Sequence, residues 1–321
     1  MTATSTSRAP RLLQALITPL MVVGVWGWAN HAAAMGLMLE RAPVPCGASA
    51  AASLVLPAAA QQRLPDSQVV AGSKDIQWVW LGSPTSRYPH TALGSGVHGA
   101  SLHVLTNDPA GTPHELVYRL PIYRVFEDRV PRLVDLDGDG RDEVVLIESD
   151  ARKGAAVVVF GLRGGNASTG MTLQELARSP HAGSTFRWLN PVGFADFDGD
   201  GRLDVASVTT PHIGGELVLY HYQPPKLAPY AEAMDVSNHR MGSLEQRLAV
   251  IVQTPGMRPT VILPDMQHTA LHALRWEAPG KWKELNDLKP LPARIESLTP
   301  LPGGACALLV DGSTWRVQLM H

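Results

Sequence analysis

The chain carries one acidic loop twice. Asp135-Leu-Asp-Gly-Asp-Gly-Arg-Asp-Glu143 returns 61 residues later as Asp196-Phe-Asp-Gly-Asp-Gly-Arg-Leu-Asp204. Each copy has carboxylates at loop positions 1, 3, 5 and 9 and glycine at 4 and 6. A hard cation such as Ca²⁺ takes six to eight oxygens at about 2.3–2.6 Å, and alternate residues of a tight turn can point inward together. Glycine permits the positive φ such a turn needs. Arg141 and Arg202 stand at position 7, where a backbone carbonyl ligates and the side chain is free to point away. A pair of ion-free Asp-Gly hairpin turns would account for the glycines. It would not account for four clustered carboxylates, which repel one another unless a cation sits between them.

The loops also fix a register. Pro131–Val134 and Pro191–Ala195 precede them, and Val144–Ile147 and Val205–Val208 follow, all with β-forming composition. A further β run comes next in each copy, Gly154–Phe160 and Gly215–Tyr220. Three weaker copies fit the same template. One is Gln68–Trp80 with Ser101–Leu105, the second Leu248–Leu263 with Thr269–Trp276, the third Ile295–Val310 with Thr314–Leu319. Outer strands fall at Glu115–Leu120, Leu173–Ala177 and Trp282–Leu285. The result is five units over residues 66–321, the span of a four-stranded propeller blade. A lone four-stranded sheet leaves both faces wet, whereas blades around an axis bury each face against a neighbour. The expected fold is therefore an all-β propeller of about five four-stranded blades. The fifth unit ends after its third strand, so residues near 55–68 are expected to supply the fourth and close the ring. The 29 glycines and 26 prolines suit so many turns.

Residues 1–34 read as an export signal. Arg8 and Arg11 are followed by an apolar run, Leu12 to Ala29, and by Ala32-Ala33-Ala34 at the cleavage position. Cleavage as late as Ala60 is the other option, and an uncleaved run would be a membrane anchor. Both cleavage sites send the protein out of the cytoplasm, to the periplasm, the medium or the cell surface. Residues 35–65 form an Ala/Pro-rich low-complexity segment. Pro45 before Cys46 is not the small residue a lipid-attachment site requires. Cys46 is expected to be lost or disordered, leaving Cys306 as a small core thiol and no disulfide.

Lys and Arg number 27 against 29 Asp and Glu, a net charge of −2 with no basic block. Nucleic acid is thereby excluded as the natural partner.

The two Asp loops and their flanking β runs, over 131–160 and 191–220, resemble the FG-GAP/VCBS repeats of integrin-α-like β-propellers. The resemblance implies calcium in these loops and an extracellular adhesion or scaffolding role. It places one ion on Asp135, Asp137, Asp139 and Glu143, and a second on Asp196, Asp198, Asp200 and Asp204. Glu143 replaces the more usual aspartate at position 9. The other three units lack the acidic loop. An EF-hand pair is excluded because loop position 12 is Leu146 or Ser207, not glutamate, and because the flanks have strand rather than helix period.

Other signals have plainer readings. Gly94-Ser-Gly-Val-His-Gly99 would need a following helix to bind a dinucleotide, and a strand pattern follows instead. His268 and His272, placed on one strand, would stand about 13 Å apart, too far to share an ion. His98 and His103 face opposite ways, and no cysteines accompany the histidines, which excludes zinc. Trp78, Trp80, Trp188, Trp276 and Trp315 read as blade-packing residues. Asn166-Ala-Ser168 reads as a turn. No nucleophile elbow or nucleophile–base pair is visible. The sequence thus points to an exported, calcium-stabilised propeller binding an unidentified protein or glycan. A hydrolase with a site on the propeller axis is the alternative.

Overall fold

The computed structural model describes residues 1–3, 36–43, 46, 55–108, 110–164, 170–285, 288 and 290–320. The chain divides into an N-terminal unit, Met1–Ala33, and a body, Ala34–His321. The apolar run Leu12 to Ala29, read above as an export signal, and Asn166–Ser168 lie outside the described residues. No described helix is long and apolar enough to cross a membrane.

The body is a β-propeller. In chain order β1 (Gly36–Arg41) comes first, then a 3₁₀ turn at Ala58–Gln62. The first blade is β2 (Val70–Ala71), β3 (Trp78–Thr85), β4 (His98–Asn107) and β5 (Pro113–Arg119), paired antiparallel in sequence order. A short strand β6 (Arg124–Phe126) then bridges to the second blade, β7 (Arg132–Val134), β8 (Glu143–Asp150), β9 (Gly154–Gly164) and β10 (Met171–Arg178). The third blade is β11 (Leu189–Ala195), β12 (Asp204–Thr209), β13 (Glu216–Gln223) and β14 (Lys226–Met234). The fourth is β15 (Val250–Val252), β16 (Thr260–Pro264), β17 (Leu271–Ala278) and β18 (Lys281–Glu284). The last is β19 (Ile295–Leu301), β20 (Gly304–Leu309) and β21 (Thr314–Met320), and its outer strand is β1.

That last pairing corrects the expectation for ring closure. Gly36 to Arg41 pair with Met320 to Trp315 in register, and residues 55–68 supply no strand to this blade. Leu37 and Leu39 alternate with Met38 and Glu40 and pack against the apolar layer between the fourth and fifth blades. Period-2 alternation over six residues is enough for an edge strand. Cys46 is joined to Cys306 in a disulfide. The expectation of a disordered Cys46 and a free Cys306 thiol is overturned, since Cys46 lies within bonding distance of β20. β14 was also not foreseen, since Lys226-Leu-Ala-Pro-Tyr-Ala-Glu-Ala-Met234 has a proline inside it.

Four apolar layers hold neighbouring blades together. Leu81, Leu102, Phe126, Leu146 and Phe160 join the first and second. Val145, Val157, Trp188, Val205 and Tyr220 join the second and third. Phe197, Val208, Leu219, Leu263 and Trp276 join the third and fourth, and Leu248, Ile262, Ile295 and Val317 the fourth and fifth. Each such side chain taken from water contributes roughly 1.5–3 kcal/mol. Trp80, Trp188 and Trp276 are buried as foreseen, whereas Trp78 and Trp315 are half-buried.

Among the described residues no apolar layer of this kind joins the fifth blade to the first. Described pieces of the N-terminal segment touch each of them. Gly36–Arg41 and Cys46 lie on the fifth blade. The 3₁₀ turn then packs on the first, with Ala60 buried and the Leu64 amide donating to Leu81 O at 2.7 Å.

The innermost strands meet in a shallow cleft of about 270 Å³ lined by Arg132, Gly193, Gln246 and Arg247 among others, with no carboxylate or histidine in its lining. Beside it Gln246 Nε2 donates to Asp128 Oδ1 (3.1 Å), and Asn190 and Asn238 donate to Gln246 O and Asn190 O (both 2.9 Å). These buried hydrogen bonds tie the inner strands together.

Candidate metal centre

Both acidic loops connect the first and second strands of a blade, the second and third blades respectively, and they fold alike. The position-9 carboxylate opens the second strand and turns back onto the position-2 amide. Leu136 N donates to Glu143 Oε2 at 2.9 Å, and Phe197 N to Asp204 Oδ2 at 3.2 Å. The position-1 carboxylate accepts from the position-6 glycine amide, Gly140 N to Asp135 Oδ2 (3.0 Å) and Gly201 N to Asp196 Oδ2 (2.9 Å). The position-5 carboxylates accept from the Arg141 and Arg202 amides at 2.8 Å. The paired glycines all have positive φ: 73° and 86° at Gly138 and Gly140, 80° and 87° at Gly199 and Gly201. Any other residue there would be strained.

In the first loop Asp135, Asp137 and Glu143 gather oxygens within 4.8 Å of one another. In the second, Asp196, Asp198 and Asp204 do the same, and Asp198, Asp200 and His221 form an overlapping group. Asp139 is not drawn into the first group. The Arg141 side chain turns toward Leu162 O (3.5 Å), and Arg202 is exposed. His268 and His272 are not brought together. His268 lies in the turn before β17 with φ 59°, and His272 pairs with Glu284 at 2.9 Å.

Two oxygens of the first loop, Asp135 Oδ1 and Glu143 Oε1, are buried without a hydrogen-bond partner. Glu143 is fully buried. Burial pushes its carboxyl up to about 7, against the Leu136 amide that favours the charged form, with Asp137 adding repulsion. A buried carboxylate oxygen without a partner is costly, and a cation between Asp135, Asp137 and Glu143 would satisfy both orphans. The residues present therefore fit a hard divalent ion. Lys74 Nζ lies 2.6 Å from Asp135 Oδ2, and this hydrogen bond holds Asp135 below the usual carboxylate range. Arg163 Nη2 stands 3.6 Å from Glu143 Oε1.

The second loop is braced by different means. Tyr230 Oη donates to Asp204 Oδ2 at 2.7 Å, and His221 Nδ1 lies 3.0 Å from Asp204 Oδ1. The two rings stack at 4.0 Å. Burial raises Asp204, and the Tyr230 and His221 hydrogen bonds oppose it. Both loops border one cleft of about 520 Å³, floored by His221, Tyr222 and Gln223.

Sequence reasoning missed Lys74, Arg163, His221 and Tyr230. His221 directly follows a foreseen β run, which was a usable signal. Lys74 comes from another blade and Tyr230 from an unforeseen strand, so spacing carried no trace of them.

Residues 135–207, which span both loops, match the FG-GAP-like repeat family. No curated protein matches the chain. Among solved structures the chain is similar to BamB from Moraxella catarrhalis, with 14% identity and a TM-score of 0.39 over 80% of this chain and 68% of that one. It is also similar to a candidate 6-phosphogluconolactonase from Bacteroides fragilis, with 15% identity and a TM-score of 0.37. That match covers 76% of this chain and 62% of the other, less than two thirds of its length.

Proposed function

We propose that this is an exported propeller braced by calcium in its second and third blades, and that it acts as a binding or scaffolding module for a protein or glycan. The observation that carries the calcium reading is the pair of buried oxygens without a hydrogen bond, Asp135 Oδ1 and Glu143 Oε1, in a three-carboxylate cluster. A bound ion would neutralise the carboxylates and let the loop close. Asp135, Asp137 and Glu143 would hold one ion, and Asp196, Asp198 and Asp204 the other, with Asp139 and Asp200 shaping the loops through the Arg141 and Arg202 amides.

Export is supported by the Arg-flanked apolar run before Ala34 and by the Cys46–Cys306 disulfide, which persists in oxidising compartments. Cleavage after Ala34 keeps β1 and Cys46, whereas cleavage at Ala60 would remove both. Membrane contact would require the segment to stay uncleaved. The binding reading is supported by the innermost cleft, whose lining holds no carboxylate or histidine. The test is a pull-down from the native exported fraction with and without calcium. A partner captured only by calcium-loaded protein supports the reading. Capture of the same partners by unrelated propellers contradicts it.

A further inference from the structure

A polar relay crosses the outward face of the first blade. Glu115 Oε1 on β5 lies 2.7 Å from His103 Nδ1 on β4. His103 Nε2 lies 2.7 Å from Ser101 Oγ, and Ser101 Oγ lies 2.8 Å from Ser83 Oγ on β3. A carboxylate only accepts, so the Nδ1 proton belongs to the Glu115 bond and Nε2 is left as the acceptor. Every link runs between side chains on one face of three adjacent strands.

Three observations separate this from an ordinary cross-strand polar pair. Ser83 has φ 49°, a left-handed conformation that costs a serine of order 1–3 kcal/mol and clusters at functional sites. Gly82 is required beside it, since a Cβ there would meet the His103 ring. Trp80 stacks on His103 at 5.3 Å and 18°, fixing the imidazole plane. Ser101 is fully buried and reaches no substrate, but Ser83 opens onto a cleft of about 570 Å³ that also holds Trp80, Ala59 and Arg119. Arg119 Nη1 is 3.3 Å from Ser83 Oγ.

We propose that Ser83, Ser101, His103 and Glu115 form a serine-hydrolase relay acting on small carboxylic esters, an activity beyond the binding role. Ser83 Oγ attacks the ester carbonyl carbon. Its proton passes to Ser101, whose own proton passes to His103 Nε2, and Glu115 stabilises the imidazolium. Arg119 faces the developing oxyanion. The carbonyl–alkoxy bond breaks, and the leaving alcohol takes the proton back from His103. Water then attacks the acyl-Ser83 carbonyl. It gives one proton to His103 and releases the acid as Ser83 Oγ recovers a proton through Ser101. No oxidant, metal or cofactor is consumed.

The test uses the purified chain, a fluorophosphonate probe and 4-nitrophenyl acetate and butyrate. Intact mass should show one adduct, and peptide mapping should place it on Ser83. Ser83→Gly removes the hydroxyl and relieves the strained φ, so it should fold. It should take no adduct and hydrolyse at the buffer rate. His103→Gln should lower hydrolysis by about 10²–10⁴. Glu115→Gln should lower it less and shift the pH profile. An unlabelled wild-type chain, an adduct elsewhere, or hydrolysis undiminished in Ser83→Gly overturns the proposal.

Discussion

Cys46 and Cys306 are joined across 260 residues of sequence, with Cα atoms 5.7 Å apart. The bond ties the tail of β1 to β20 and so holds the first described strand on the last blade. Blade closure here depends on a six-residue strand, and the disulfide limits its fraying.

Loss of that bond should therefore be felt globally. Cys46→Ser with Cys306→Ser should lower stability by about 2–5 kcal/mol. Thermal melts of the variant and of reduced wild type should agree. A variant melting with oxidised wild type would contradict this account of closure.

The second loop should depend on Tyr230. Tyr230→Phe leaves Asp204 with one donor fewer and should weaken ion binding there about tenfold, or ~1.4 kcal/mol. Calorimetry in an Asp137→Ala background, where the first site is removed, reads this directly. Unchanged affinity would show that Tyr230 does not orient Asp204.

Buried histidines should make the fold acid-sensitive. Burial pushes His212 down to about 4, His239 to about 3 and His268 to about 4. His212 and His239 share a 2.8 Å contact. An unfolded histidine titrates near 6.5, so the unfolded chain binds protons that the folded chain refuses. Their contribution is complete above pH 6.5 and is lost as pH falls through that window toward 4. For His268 alone the gap is worth roughly 3 kcal/mol. Without a cation Glu143 acts oppositely, adding stability as pH falls from about 7 toward its ordinary range. Denaturant melts of wild type and His268→Gln at pH 7 and 4.5 should differ in slope, with the variant less acid-sensitive.

The interlayer tryptophan gives a packing test. Trp188 is 2% exposed and donates Nε1 to Glu127 O at 3.1 Å. Trp188→Ala should cost about 3–5 kcal/mol. A melt shifted by only a degree or two would place the load elsewhere.

The acidic loops were legible because a recurring nine-residue motif fixes both ligand spacing and strand register. The weaker blades were legible from β runs that the loops had placed in phase. Closure was not: Gly36–Arg41 sits in an Ala/Pro-rich stretch, and its partner β21 lies almost the whole chain away. The same limit hid Lys74, Tyr230 and the relay of Ser83, Ser101, His103 and Glu115. These side chains meet only through strand pairing, and no local spacing encodes that.

The central claim is that calcium occupies the two loops, and calcium titration of the chelator-stripped chain followed by calorimetry and melting tests it most directly. Two ions per chain should bind, at affinities that can be as weak as about 10⁻⁴–10⁻³ M, and chelator should lower the melting temperature. Asp137→Ala and Asp198→Ala should each remove one ion. No calcium retained at millimolar concentration, with melting unmoved by chelator, would contradict the account.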